Sequence, residues 1–425
     1  MLKEIAPRLA VAAFALSLLA GCASGEKTVK QFWPPPPDAP RIQYLQKISD
    51  STDVVGKKSI SLIDLGKEEE KTIPIMKPYG IAVHKGVIYL CDTIQAQVVI
   101  LDPPRKKASV LSGNKGPGQL TKPLTITVDA DGFIFVADSA RKCVMKYAPD
   151  GAFVSKIGAD ENMKPVSLAS DDLYLYVLDS AQGLVRVYDR KTSAPVRTFG
   201  QEGEERGKLF TPLGLGVTKT GDVYVTNLDG RILHFDRDGH PQRAFGKLGT
   251  ALSEFNRPRA ITFDDNGIMY IVDAASQDVR LLTDQFQLLM GFGEPGTAGS
   301  LNVPSGIAIS RDDLAYYQQF ADPDFVLEQV LFAVSQFGTS KVSVYGFGKK
   351  KGVDYEGLVK ERQDEIRKAE EAILKAKAAQ EAKDKETKAA QDGKDKEAKA
   401  AQEGKDKAAG QGAPQQAPAA PRAAK

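Results

Sequence analysis

A proline recurs along this chain as Pro78, Pro123, Pro165, Pro212, Pro258 and Pro304, at spacings of 45, 42, 47, 46 and 46 residues. A fixed period constrains a fold more than composition does, because one such unit must bury its faces against its own copies. The unit is clearest over Arg257–Gly293. There an apolar run, Ala260–Phe263, leads into the turn Asp264-Asp265-Asn266-Gly267. A second run, Met269–Val272, ends at Asp273; Val279–Leu282 and Leu288–Phe292 follow, and Gly293 closes the unit. Short alternating apolar runs separated by Asn/Asp/Gly turns read as an antiparallel meander.

The same positions recur in the other copies. The second strand ends at Asp92, Asp138, Asp179, Asn227 and Asp273. The third carries Val98, Val144, Val185, Ile232 or Val279, followed by Leu101, Tyr147, Tyr188, Phe235 or Leu282. Gly158, Gly200, Gly246 and Gly293 close copies two to five. Four strands in a period of about 40–50 residues predict an all-β fold, a six-bladed β-propeller of four-stranded antiparallel blades. These residues resemble the NHL repeat family, whose blades read P-x-G-I-A-V, then a-D-G-x-I-Y-V-A-D, then R-I-x-x-F. The resemblance spans about residues 77–348 and is closest over Lys122–Gly158 and Arg257–Gly293. It implies the fold; propellers host many activities, so it does not by itself imply one.

Copy six departs from the pattern twice. The position that should end its second strand falls on Gln319, within Ala315-Tyr316-Tyr317-Gln318-Gln319-Phe320, which is no strand end. Counting back from Lys341–Tyr345 places that strand at Val330–Gln336 instead, so residues near Asp312–Glu328 are inserted. The insertion carries Tyr316, Tyr317, Gln319, Phe320, Asp322, Asp324 and Phe325. Adjacent aromatics and carboxylates on a protruding loop suit a binding site; a lid packed on the propeller end is the alternative. Second, Tyr345 precedes Gly348 too closely to leave room for a fourth strand. Arg41–Ile48 alternates apolar and polar residues and has no blade of its own. It is expected to pair beside Lys341–Phe347, closing the ring and covering an open edge.

The N-terminus reads as a targeting segment. Lys3 and Arg8 precede an apolar core, Leu9–Ala20, too short to span a bilayer. It ends Leu19-Ala20-Gly21-Cys22, which resembles a bacterial lipobox. The resemblance implies cleavage before Cys22 and lipid on that residue. No Asp follows the cysteine, which favours the outer membrane over inner-membrane retention. Phe32-Trp33 and Pro34–Pro37 then read as an extended polyproline II spacer. The division is a lipoprotein signal peptide over 1–21, a Pro-rich linker over 22–40 from the lipidated cysteine, and the propeller over 41–352. A charged helix over 353–391 and a low-complexity disordered tail over 392–425 follow. Within that helix Val359, Ile366 and Ile373 lie one heptad apart, but Arg362, Ala369 and Ala376 leave a weak coiled-coil seam. Residues 360–410 hold 14 Lys+Arg against 13 Asp+Glu, and the whole chain carries a net +2. Neither balance suits nucleic-acid binding, which requires a net basic surface.

No catalytic, metal or cofactor motif stands out. Cys91 and Cys143 read as buried free thiols, with a bridge between neighbouring blades as the alternative. His84, His234 and His240 lie at ordinary strand or turn positions. The recurring Asp reads as a turn cap. The channel-lining runs are Gly80–Val83, Leu124–Val128, Val166–Ala169, Leu213–Val217, Ala260–Phe263 and Gly306–Ile309, none with a carboxylate or histidine. Asp129-Ala130-Asp131-Gly132 and Asp236-Arg237-Asp238-Gly239 read as hairpin turns, not calcium loops. The expected function is a non-catalytic binding or scaffold lipoprotein of the outer membrane, joined to the membrane by its lipid and to a protein partner or small ligand in the envelope. Resemblance to exported NHL proteins encoded beside multihaem cytochromes implies a redox or assembly setting. The alternative is a propeller lyase or lactonase with metal ligands on loops. Oligomeric state is not legible. Cys22→Ala is expected to abolish lipidation and release the protein from membranes; fractionation of the variant with membranes, as for wild type, would place the tether elsewhere.

Overall fold

The structure, a computed structural model, describes residues 30–56, residues 72–361 apart from 160, 201–206 and 252, and scattered positions between 364 and 399. Residues 22 and 91 illustrate the division: the lipidation candidate lies outside the described residues, whereas Cys91 sits in the core of blade one. The chain forms six antiparallel sheets, each begun by one of the recurring prolines. Blade one comprises Pro78–His84, Val87–Asp92, Gln97–Asp102 and Lys107–Val110, in that spatial order. Blades two to five repeat the meander over 123–157, 165–199, 212–245 and 258–292. The first strands of all six adjoin in a closed ring around a central channel.

Burial follows position in the blade. The second strands Ile134–Asp138, Val223–Asn227 and Met269–Asp273 are buried at every residue. Both faces of a blade lie against neighbours, so these strands need apolar residues on both sides and lose the alternation of a half-exposed strand. Outer strands are wet: four of the five residues in Pro241–Phe245 are exposed. Neighbouring blades approach closely two residues after the proline. A Cβ at Gly80, Gly214 or Gly306 would lie 2.5, 2.2 and 2.7 Å from the backbone of the next blade. Thr125, Ser167 and Ala260 hold the equivalent positions, so the site takes only small residues.

Blade six closes the ring as the strand count required. Ile42–Ile48 lies antiparallel to Val342–Lys350, with Ile42 opposite Phe347 and Ile48 opposite Val342. The sheet is completed by Phe325–Ser335 and Pro304–Ser310. Both inner partners are longer than the expected Val330–Gln336 and Lys341–Phe347, because Phe325–Leu327 pairs with Gly348–Lys350 beyond the common blade height. Part of the insertion is therefore strand.

The proline run differs from the expected spacer. Phe32–Trp33 forms a fifth, two-residue strand against Ile42 and Gln43, and residues 34–40 turn the chain back between them. Prolines fit this turn because it asks them for no ladder N–H. The apolar gain is Trp33, which is 2% exposed and donates its indole N–H to Glu294 at 2.7 Å. Its ring meets Phe292 of blade five and Tyr345 of blade six edge-on, at 6.2 and 5.7 Å; Tyr44 meets Tyr345 at 5.8 Å. Such pairs each contribute about 0.5–1.5 kcal/mol beyond area burial. The N-terminal segment thus holds blade six by its strand ladder and the end of blade five by packing and the Trp33–Glu294 hydrogen bond.

The second compact unit, Asp354–Lys425, is helical at every described position from 355 onward. Deleting residues 41–48 is expected to lower the melting temperature by about 10 °C or more, whereas deleting 356–425 should shift it by less than about 2 °C. An unchanged melting temperature after the first deletion would overturn the closure.

Candidate functional site

The recurring carboxylates take up the backbone at one end of the propeller. Asp138 is fully buried and accepts from the amides of Thr121 (2.6 Å), Lys122 (3.0 Å), Ala140 (3.2 Å) and Arg141 (3.0 Å). Two of these amides precede the blade's own first strand and two belong to the following turn. Asp92 and Asp273 repeat the arrangement, with Met76 and Lys77, and with Asn256 and Arg257, as the upstream donors. Asp179 does so with one upstream amide and adds an ion pair to Arg186 at 3.1 Å. Asn227 caps Phe210 N at 2.9 Å, and Gln336 donates to Val303 O at 3.4 Å. Four amide donors saturate a carboxylate, so these groups tie the loop entering each blade to its second strand.

The opposite end is braced between blades. Arg190 of blade three pairs with Asp129 (3.1 Å) and Asp131 (3.0 Å) of blade two. Arg237 of blade four reaches Asp171 of blade three at 3.2 Å. Asp265 of blade five takes Lys219 of blade four at 2.6 Å and Arg311 of blade six at 2.9 Å. Asp312 of blade six accepts Gly86 N of blade one at 3.1 Å. Inside this ring, turns of blades two to four line a cleft of about 410 Å³ with Asp129, Ser170, Asp171, Asp172, Thr218 and Lys219 among its walls. The turns at Asp129–Gly132 and Asp236–Gly239 are hairpins: Asp129 and Asp131 pair with Arg190 and Asp129 also accepts from Phe133 N, whereas Asp236 accepts from the amides of Asp238 and His240 in its own turn. His84, at the end of the first strand of blade one, stands near this rim. Burial lowers its pKa, Lys85 adds to that, and Asp129 and Asp312 oppose it.

The channel carries a residue that the apolar runs did not reveal. Arg259 lies one position before Ala260, directly after Pro258. Its Nη1 donates to the Tyr79 hydroxyl of blade one at 2.8 Å, and its guanidinium carbon lies 5.4 Å from that ring's centroid. Blade six separates blades five and one on the ring, so the pair meets within the channel. The signal available in the sequence was a charge at a position filled elsewhere by Leu124, Val166 and Leu213.

The insertion of blade six folds inward. Tyr317, on the short helix Leu314–Gln318, is 1% exposed and packs edge-on against Phe332 at 5.6 Å. Phe325 is fully buried and meets Phe32 at 5.6 Å. Asp322 accepts from Lys30 at 2.7 Å, and its backbone N–H donates to Gln43 at 2.9 Å. Tyr316 and Phe320 are half-buried against each other at 5.5 Å. Gln319 and Asp324 are exposed. The aromatics thus clasp the N-terminal segment, and the polar residues form the outward edge. Cys91 and Cys143 are free and buried, and burial pushes both thiols up, Cys91 well above its usual range.

No family model matches the chain. Among solved structures, a protein of unknown function from Bacteroides thetaiotaomicron is similar at 16% identity, over 71% of this chain and 75% of its own, with a TM-score of 0.51. A gluconolactonase from Xanthomonas campestris is 14% identical over 73% of this chain and 98% of its own, with a TM-score of 0.48. Virginiamycin B lyase from Staphylococcus aureus is 12% identical over 64% and 85%, with a TM-score of 0.44. At these identities the likeness is one of fold, the propeller. Asp138→Ala is expected to destabilise the protein by about 1–3 kcal/mol in urea unfolding, because four amides at partly wet positions lose their acceptor together. A loss below about 0.5 kcal/mol would mean that the amides find other partners.

Proposed function

We propose that the chain is a lipid-anchored lipoprotein of the bacterial outer membrane whose propeller is a non-catalytic binding and scaffolding platform, in an envelope redox or assembly system. The observation that carries this reading is how the repeated carboxylates are used. At one end they are occupied by backbone amides, and at the other by cations of the neighbouring blade. They hold each blade together and brace it to its neighbour, leaving the ring's surfaces to present contacts. The repeat is broken in blade six, beside the N-terminal segment that would lead to the lipidated Cys22. A partner would meet the outward edge of the insertion, at Gln319 and Asp324 with the exposed parts of Tyr316, Phe320 and Asp322; Tyr317 and Phe325 hold that edge from beneath.

Because Tyr317 and Phe325 are core residues, the test substitutes the outer edge alone. Gln319→Arg with Asp324→Arg should leave the melting temperature within about 2 °C of wild type. The yield of the complex recovered by crosslinking in native envelopes should fall several-fold. Unchanged recovery of the same complex would move the partner surface off this edge.

A further inference from the structure

The position after each recurring proline forms a ring at one mouth of the channel: Tyr79, Leu124, Val166, Leu213, Arg259 and Ser305. One arc is apolar, through the half-buried Leu124, Val166 and Leu213. The other is polar and joined across the channel by the Arg259–Tyr79 hydrogen bond. Ser305 turns its hydroxyl to Tyr79 O at 2.9 Å, which fixes the backbone under the phenol. Arg259 makes no ion pair among the described residues, and its Nε is buried without a hydrogen-bond partner. Arg186 and Arg190 are matched to acids, Asp179 and Asp129. Arg197 of blade three shares the state of Arg259, with its Nε buried and unpartnered and its guanidinium stacked on Tyr174 at 4.7 Å, but it donates to the Arg237 carbonyl. A guanidinium that is partly desolvated and lacks a counter-charge favours an anion from outside. The Tyr79 oxygen accepts from Arg259, which leaves the phenol hydrogen to donate to the same anion.

We propose that this mouth binds a small organic monocarboxylate with an apolar body, the carboxylate on Arg259 and Tyr79 and the body against Leu124, Val166 and Leu213. This deepens the reading of the propeller as a binding module and rests on it. The fit is one of two halves. A lone inorganic anion would leave the apolar arc wet, and an uncharged apolar molecule would leave Arg259 unmatched.

Isothermal titration of the purified full-length protein with hexanoate, acetate, inorganic phosphate and hexylamine tests it. Hexanoate should bind, acetate and phosphate about tenfold or more weakly, and hexylamine not at all. Arg259→Met should weaken hexanoate by about tenfold or more, and Tyr79→Phe by several-fold. Equal binding of hexylamine, no binding of hexanoate to wild type, or undiminished binding to a folded Arg259→Met variant would each overturn the site. If Arg259→Met does not fold, the wild-type series and Tyr79→Phe still decide. Hexanoate binding with no envelope complex recovered would overturn the scaffold reading alone; a recovered complex with no hexanoate binding would overturn the channel site alone.

Discussion

The whole propeller depends on the pairing of Ile42–Ile48 with Val342–Lys350. Each of the other five blades is continuous in sequence and could be assembled from neighbours in turn. Blade six cannot, because its own segment supplies only its three inner strands. Without the N-terminal strand, the main-chain groups of Val342–Lys350 form an open edge, and the contact with blade five loses Trp33. The aromatic cluster of Trp33, Tyr44, Phe292 and Tyr345 adds side chains from both sides of that seam. Ring closure and blade completion are thus one event.

The two ends of the ring solve separate problems with the same residue type. At the end where the prolines lie, aspartates hold one blade's incoming loop by accepting backbone amides. At the other end, aspartates reach between blades to arginine or lysine. The difference follows from position. An acid at the end of a central second strand is fully buried and meets converging amides. An acid on a surface turn meets the long side chain from the adjoining blade, as Arg237 meets Asp171. Propeller stability is therefore spread over many modest contacts, and Arg259, which makes no ion pair among the described residues, gives its hydrogen bond to the Tyr79 hydroxyl instead.

Much of this was legible from period alone. The recurring proline, the terminal Asp or Asn and the third-strand aromatic or leucine located five blades, and the missing interval after Tyr345 located the closing strand at Arg41–Ile48. What escaped had particular causes. Phe32 and Trp33 sit beside four prolines, whose strong preference for an extended spacer hid a two-residue strand. Arg259 fell outside an apolar run that starts at Ala260. The braces Arg190–Asp131 and Arg237–Asp171 join residues 59 and 66 apart, a distance over which sequence carries no pairing signal. The insertion was found by its broken register, but its aromatics could not be oriented until Phe332, Phe32 and Gln43 were placed around them.

The closing strand also imposes an order of events on folding. Ile42 is made long before Phe347, its partner in the finished sheet. It must wait, unpaired, while five blades emerge and form, because chains are synthesised from the N-terminus and domains tend to fold as they appear. Contacts of such long sequence separation are slow to form, since the loop must close before any hydrogen bond rewards it. During that interval the waiting strand and the bare edge of Val342–Lys350 are each able to pair with another molecule of the same kind. A holding factor that shields the N-terminal segment would act at this step, and the yield of closed monomer would then depend on how crowded the nascent chains are.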